Sequence, residues 1–270
     1  MLKQRFITGI ILAPLVIAGF VLLNALWFAV MVGGIITLAA WEWARLSGIQ
    51  AQSGRVAYAV LVALLLVGLY SYQWPVQHML VLAACWWVLA TLMILRYPQG
   101  RGLWSGWLAQ LYGLVVLLPA WAALVWLRAQ TGGLWLLLAV VVMVWAADIG
   151  AYFAGKTFGK HKLLPRVSPG KTLEGLLGGL LLAEVLAVIA MIYLGWSGRS
   201  LVFGLVGTLV VVLFSVVGDL TESLFKREQG LKDSSNLLPG HGGIMDRIDS
   251  LTAAIPLFAL GWYLFGSSLV

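Results

Sequence analysis

The residues best equipped for chemistry in this 270-residue chain lie in its last quarter, where positions 223–249 read SLFKREQGLKDSSNLLPGHGGIMDRID. Lys226, Arg227 and Lys232 stand ahead of a Pro- and Gly-rich turn at 239–243, and the turn leads into a segment carrying Asp246, Arg247 and Asp249. These are the parts of a phosphate site. Basic side chains neutralise phosphate charge, and Gly242 and Gly243 let backbone N–H groups approach an anion at a helix N-terminus. Asp246 and Asp249 are spaced i, i+3 and share one helix face. With Asp219 from the preceding span they form an oxygen-only set suited to Mg²⁺, which bridges to substrate phosphates. A second cation is compatible with the same set. The competing reading pairs these aspartates with Arg247, Lys226 or Arg227 as interfacial salt bridges. His241 either binds phosphate or orders the turn.

A second stretch supplies similar chemistry. Ser168 and Thr172 flank a Pro-Gly turn with Lys171, which makes a second anion-binding corner for nucleotide phosphates. Thr172 also reads as the cap of the helix that follows. Asp148 lies upstream, inside an apolar run.

The elements that must position these residues are membrane spans. Hydrophobic residues make up 62% of the chain and charged residues 10%, against about 25% charged in soluble domains. One water-soluble core could not hide that much apolar surface. Runs near 20 apolar residues mark nine spans, at 7–23, 26–46, 56–72, 78–95, 108–127, 134–153, 173–194, 201–220 and 244–265. The run after Lys3 and Arg5 leads directly into another, so it reads as a span rather than a secretory signal. The predicted class is all-α, a polytopic transmembrane bundle of about nine spans. Residues 1–130 would be a scaffold or lipid-access region, and 131–270 a catalytic region.

With the N-terminus in the cytoplasm and the C-terminus outside, 15 of the 17 Lys and Arg residues fall on the cytoplasmic side. The net charge of +7 is therefore a mark of topology, and no nucleic-acid partner is expected. Nine of those basic residues crowd the loops at 154–172 and 221–243 and their edges, so chemistry on a water-soluble substrate belongs there.

Only ten residues are acidic. Glu222, Glu228 and Asp233 fall in the last cytoplasmic loop, and Glu174 opens the seventh span. The other six sit in or at the edges of spans, where ionisable groups are costly and mark functional sites. Among them, Glu42 is explained by pairing with Arg45 at i+3. Glu184, mid-span without a partner at helical spacing, reads as a bundle-interior residue. Cys85, the single cysteine, reads as a buried, inert thiol.

The ordered set Ser223, Lys226-Arg227, Lys232-Asp233, His241-Gly242-Gly243 and Asp246-Arg247-Ile248-Asp249 resembles the signature of the phosphatidate cytidylyltransferase family. A second family-like stretch comprises Asp148, Ala151, Tyr152, Gly155, Phe158, Gly159 and Lys160, then positions 168–175 as SPGKTLEG. The resemblance is strong over 148–249. It implies transfer of a cytidylyl group from CTP to phosphatidic acid, releasing pyrophosphate, with catalysis by positioning and charge neutralisation. Under it Asp219, Lys226, Asp246, Arg247 and Asp249 are catalytic, and Asp219, Asp246 and Asp249 hold Mg²⁺. Asp148, Ser168, Lys171, Thr172, Lys226, Arg227, Lys232, His241, Gly242 and Gly243 bind substrate. A cytoplasm-facing site in a bacterial plasma (inner) membrane follows, and a homodimer is left open. Two other classes compete: a CTP-dependent polyprenol kinase, which would release CDP, and an ion or phosphate transporter.

Overall fold

A computed structural model describes residue 10 and residues 14–99 and 104–269. In chain order the helices are α1 (14–22), α2 (Ala25–Leu46), α3 (Gln52–Ser71), α4 (Val76–Leu95), α5 (Gly106–Ala129) and α6 (Gly133–Phe158). A hairpin of β1 (Lys162–Leu164) and β2 (Ser168–Thr172) follows, then α7 (Leu173–Tyr193), α8 (Arg199–Glu228) and α9 (Met245–Leu269). Eight of these helices, α2 to α9, are long and apolar enough to cross a bilayer. In hydrocarbon every backbone polar group must be bonded internally, which a helix achieves within its own segment. Their outward faces carry Leu64, Val67, Leu177, Leu181 and Ile189, all exposed as lipid-facing residues would be. The chain is a multi-pass α-helical membrane protein. The expected span 7–23 begins outside the described residues, and its part at 14–22 is helical.

Several details depart from the hydropathy reading. The eighth span was expected to end at 220, yet α8 continues to Glu228, about two more turns. Glu222 and Glu228 therefore lie in a helix and not in a loop, and Glu222 is buried at 1% exposure. The extension is held by packing. Leu224 and Phe225 are fully buried, and the Phe225 ring lies 4.7 Å from Trp43 of α2 and 5.3 Å from Trp104. Likewise α6 runs to Phe158 instead of ending at 153. The loop at 154–172 is not wholly irregular, because β1 and β2 pair antiparallel with Lys162 opposite Thr172 and Leu164 opposite Ser168. Cys85 is exposed on α4 rather than buried, because its helix turns that face outward.

The main hydrophobic core runs from Phe20 of α1 to Ala259 of α9, a smaller cluster joins Ala146, Ala147, Ala183 and Val212, and α4 and α5 both pack on α9. At one end of the bundle polar contacts tie the helix ends together. Arg45 Nη1 donates to Ser234 O (3.2 Å), Tyr97 Oη donates to Glu228 Oε1 (2.8 Å), and Lys171 Nζ meets Asp219 Oδ2 (2.7 Å). Among the described residues, Arg45 and Lys171, both assigned to the cytoplasmic face, thus meet the ends of neighbouring elements there.

Candidate active site

The site is built from the polar ends of α6, α7 and α8 and the start of α9. Helices α6 and α7 approach very closely because glycines line their contact. A Cβ on Gly150 would meet Gly178 O at 2.5 Å, and one on Gly179 would meet Ala147 O at 2.5 Å. Beside this seam lies a cavity of about 400 Å³ lined by Asp148, Lys156, Lys171, Thr172 and Asp219, with Val212 and Val216 on its apolar wall. That volume lies in the range of small-molecule sites. The hairpin delivers Lys171 to the cavity. Thr172 then caps α7, its Oγ1 accepting from Gly175 N at 3.1 Å, so the capping reading of Thr172 holds alongside its place in the cavity wall. His161 Nδ1 lies 2.6 Å from Glu174 Oε1, and Lys160 N donates to Glu174 Oε2 at 3.1 Å, which pins the hairpin to the first turn of α7.

Lys171 and Asp219 form an ion pair in the cavity lining whose side chains are 25% and 32% exposed, so neither is sealed from solvent. Asp219 Oδ1 also accepts from Ser223 Oγ at 3.2 Å, one turn further along α8. Asp148 lies within electrostatic reach of Asp219, Lys171 and Arg247. Arg247 is exposed at the start of α9. Ser168, by contrast, opens β2 opposite Leu164 and is not part of the cavity lining.

A second polar group, next to the first, is closed. Lys226 Nζ lies 2.6 Å from Glu222 Oε2 and 2.7 Å from Asp246 Oδ1. The other oxygen of Asp246 accepts from Gly243 N (2.7 Å), Ser234 N (3.0 Å) and Ser234 Oγ (2.9 Å). The salt-bridge alternative for Asp246 is thus what the side chains adopt. Glycines 242 and 243 serve this arrangement. Gly242 has φ +80°, and a Cβ there would sit 2.7 Å from Asp246 Oδ2. A Cβ on Gly243 would sit 2.6 and 2.7 Å from the two Glu42 oxygens. The anions these glycines admit to the backbone are the protein's own carboxylates.

Glu42 is the residue that sequence reasoning misplaced. It does not bond Arg45, whose guanidinium reaches Ser234 O instead. Fully buried at 0% exposure, Glu42 accepts from Ser235 Oγ (2.5 Å), Ser234 Oγ (3.1 Å), Ile244 N (3.0 Å) and Met245 N (2.6 Å). Those donors lie about 200 positions away, so no local spacing signals the contact. Glu222, placed in a loop from sequence, is the other residue missed.

The remaining expected residues are more peripheral. Arg227 is exposed and donates from Nε to Val167 O at 3.5 Å, and Lys232 is exposed. His241 orders the turn through its backbone, donating to Leu238 O at 2.8 Å, while its Nδ1 is buried without a partner. Glu184 stays in mid-α7, with Oε2 buried and without a partner.

The donor set can be tested against a divalent cation. As the side chains stand, no three carboxylate, imidazole or thiol groups converge on one point among the described residues. The chemistry nevertheless fits a hard cation at one place. Glu222 Oε1 is buried without a hydrogen-bond partner, and Asp249 lies within electrostatic reach of Glu222. Asp219 lies within electrostatic reach of Asp249. Carboxylates that adjoin in a dry site need a proton or a cation between them. Asp246 is less available, because both its oxygens are engaged.

Comparison with known proteins gives concordant results. Residues 3–265 match the profile of a family described as the cytidylyltransferase family. The chain is 54% identical over 260 residues, 96% of each protein, to a protein named phosphatidate cytidylyltransferase from Pseudomonas aeruginosa. It is 39% identical over 288 residues, covering 97% of this chain and 99% of the relative, to a protein of that name from Haemophilus influenzae. A namesake from Staphylococcus saprophyticus is 45% identical over 130 residues, 48% of this chain and 50% of the relative.

Proposed function

This chain belongs to the cytidylyltransferase family, and from that premise we propose that it transfers a cytidylyl group from CTP to phosphatidic acid, forming CDP-diacylglycerol and pyrophosphate. The observation that carries the reading is the half-open cavity between α6, α7 and α8, where Lys171 and Asp219 face one another beside the Lys226–Asp246 group. An oxygen of the lipid phosphate attacks the α-phosphorus of CTP. The new P–O bond forms as the bond to the β-phosphate oxygen breaks, and pyrophosphate leaves with the electron pair. The nucleophile is already anionic, so no side-chain nucleophile or strong general base is required.

The protein's part is to hold two anions together and neutralise their charge. Lys171, carried on the hairpin, supplies positive charge at the cavity opening, and Arg247 supplies it from the start of α9. Val212 and Val216 form the apolar wall and exclude water. Asp219, Asp249 and Glu222 would hold Mg²⁺, and a second cation is compatible with the same carboxylates. When bound, the metal would add charge neutralisation at the phosphates of CTP. Asp246 would act by fixing Lys226 and α9 rather than by offering a bare oxygen.

The bundle end that carries the site is rich in Lys and Arg. By the positive-inside rule it faces the cytoplasm, which puts the C-terminus of a nine-span chain outside. The bacterial relatives fit a plasma (inner) membrane, where CTP is available at that face. A homodimer would be compatible with this arrangement.

The test is to incubate the purified full chain in mixed micelles with CTP, phosphatidic acid and Mg²⁺, and to measure pyrophosphate and CDP-diacylglycerol together. Equimolar formation of both, abolished by EDTA, is expected. CDP with a newly phosphorylated lipid would instead mean a kinase. CTP-independent ion or phosphate flux in proteoliposomes, without turnover, would mean a transporter.

A further inference from the structure

We infer that Glu42, on α2 and outside both signature stretches, is a positioning residue for the reaction: it clamps the 234–245 segment and sets the placement of α9 against α8. This rests on the cytidylyl-transfer reading of the site.

The argument begins with hydrogen-bond capacity. The two oxygens of Glu42 accept from four neutral donors in a place with no access to solvent. Two of the donors, Ile244 N and Met245 N, are backbone groups at the start of α9. A helix leaves its first N–H groups unpaired, and a side chain usually caps them from the residue just before the helix. Here the cap comes from another helix, and its negative charge meets the positive end of the α9 dipole. The clamp therefore fixes where α9 begins and how it is rotated relative to α2.

The consequences reach the site through Ser234. Its Oγ lies 3.1 Å from Glu42 Oε2 and 2.9 Å from Asp246 Oδ2, and its one proton serves both acceptors. Asp246 in turn holds Lys226, and Lys226 holds Glu222. One helical turn beyond Asp246, Asp249 lies within electrostatic reach of both Glu222 and Asp219. A small rotation of α9 would move Asp249 away from Asp219 without emptying the cavity. Gly243 records the same constraint, since any side chain there would occupy the space of the Glu42 carboxylate and the Ser234 hydroxyl.

The experiment compares Glu42→Gln, Glu42→Asp, Ser234→Ala and the Glu42→Gln/Ser234→Ala double variant with the wild-type full chain in detergent. In Glu42→Gln one acceptor oxygen becomes an NH₂ group that faces donors, whereas Glu42→Asp keeps the charge and both oxygens on a shorter arm. Kinetics are read well below each variant's melting temperature and per folded protein. Glu42→Gln is expected to lower kcat about 10- to 100-fold, with KM for CTP and for phosphatidic acid within about 3-fold, because misplacement of about 1 Å costs rates of that order. Glu42→Asp should recover part of the loss. The double variant should be little worse than Glu42→Gln, since the two groups act through one link. An unchanged kcat with only a lowered melting temperature would make Glu42 a stability residue and overturn the inference, as would full additivity.

Hydrogen exchange supplies a readout that does not depend on turnover. Glu42→Gln should speed exchange at Ile244 and Met245 and through 231–243, and leave α6 and α7 unchanged. If the wild-type chain turns over no CTP, the cytidylyl-transfer reading fails. Unchanged exchange in Glu42→Gln would show that the clamp itself does not exist.

Discussion

The open cavity and the closed group beside it use the same residue types to opposite effect. Around the cavity Lys171 and Asp219 form one ion pair, both partners partly exposed, with hydrogen-bonding capacity left over for a ligand. In the closed group Lys226 is shared between Glu222 and Asp246, and Asp246 and Glu42 together accept from Lys226, Ser234, Ser235, Gly243, Ile244 and Met245. A carboxylate surrounded by donors is a structural strut, while one with a free oxygen at a cavity can do chemistry. Asp219 and Asp246 are therefore two kinds of aspartate, one open and one saturated, which residue type and spacing do not distinguish.

Substitutions can break or sharpen that contrast. The largest effect is expected for Lys226→Met, which leaves Glu222 and Asp246 without their shared cation. Breaking a buried pair costs about 3–5 kcal/mol, so the melting temperature and the yield of folded protein should fall sharply. A variant that melts like the wild type would erase the distinction between strut and site. Lys171→Met should do the reverse. Removing one group that stabilises transition-state charge costs about 10²–10³ in rate, while losing a half-exposed ion pair changes stability by about 1 kcal/mol or less. Assays of kcat/KM alongside thermal melts would check both halves. If Lys171→Met melted far lower with normal turnover, the cavity would be the structural region.

Gly243→Ala tests the packing of the closed group. Its methyl would press on Glu42 and Ser234, and overpacking of this kind costs about 1–3 kcal/mol, to be read as a lowered melting temperature. The same change at Gly170, where no atom lies within 4 Å of a built Cβ, should be tolerated and serves as the control. The smallest effect belongs to Thr172→Ala, which removes the cap of α7 and should cost about 1 kcal/mol, with a modest loss of turnover because the hairpin that carries Lys171 is loosened.

Much of the architecture was legible in the chain. Each of α2 to α9 coincides with an apolar run, because a lipid environment demands about 20 apolar residues per span and leaves few alternatives. The extra turns of α8 were not legible. Residues 221–228 carry four charges, and their helix rests on Phe225 packing between Trp43 and Trp104. At the site, Asp148, Lys171, Thr172 and Asp219 were identified from residue type and spacing, and the structure gathers all four around one cavity. Glu42 was assigned to Arg45, because pairing at i+3 is the only contact a helix reveals by itself.

Taken alone, the sequence determined the membrane-spanning helical class, the end of the bundle where charge collects, and the family. These follow from composition and short-range spacing, which act within a single segment. Only the tertiary structure decided which carboxylates are saturated and which remain open. That depends on donors brought from as far as 203 residues away, as with Glu42 and Met245, and whether a buried oxygen is filled or free is settled only when the helices meet.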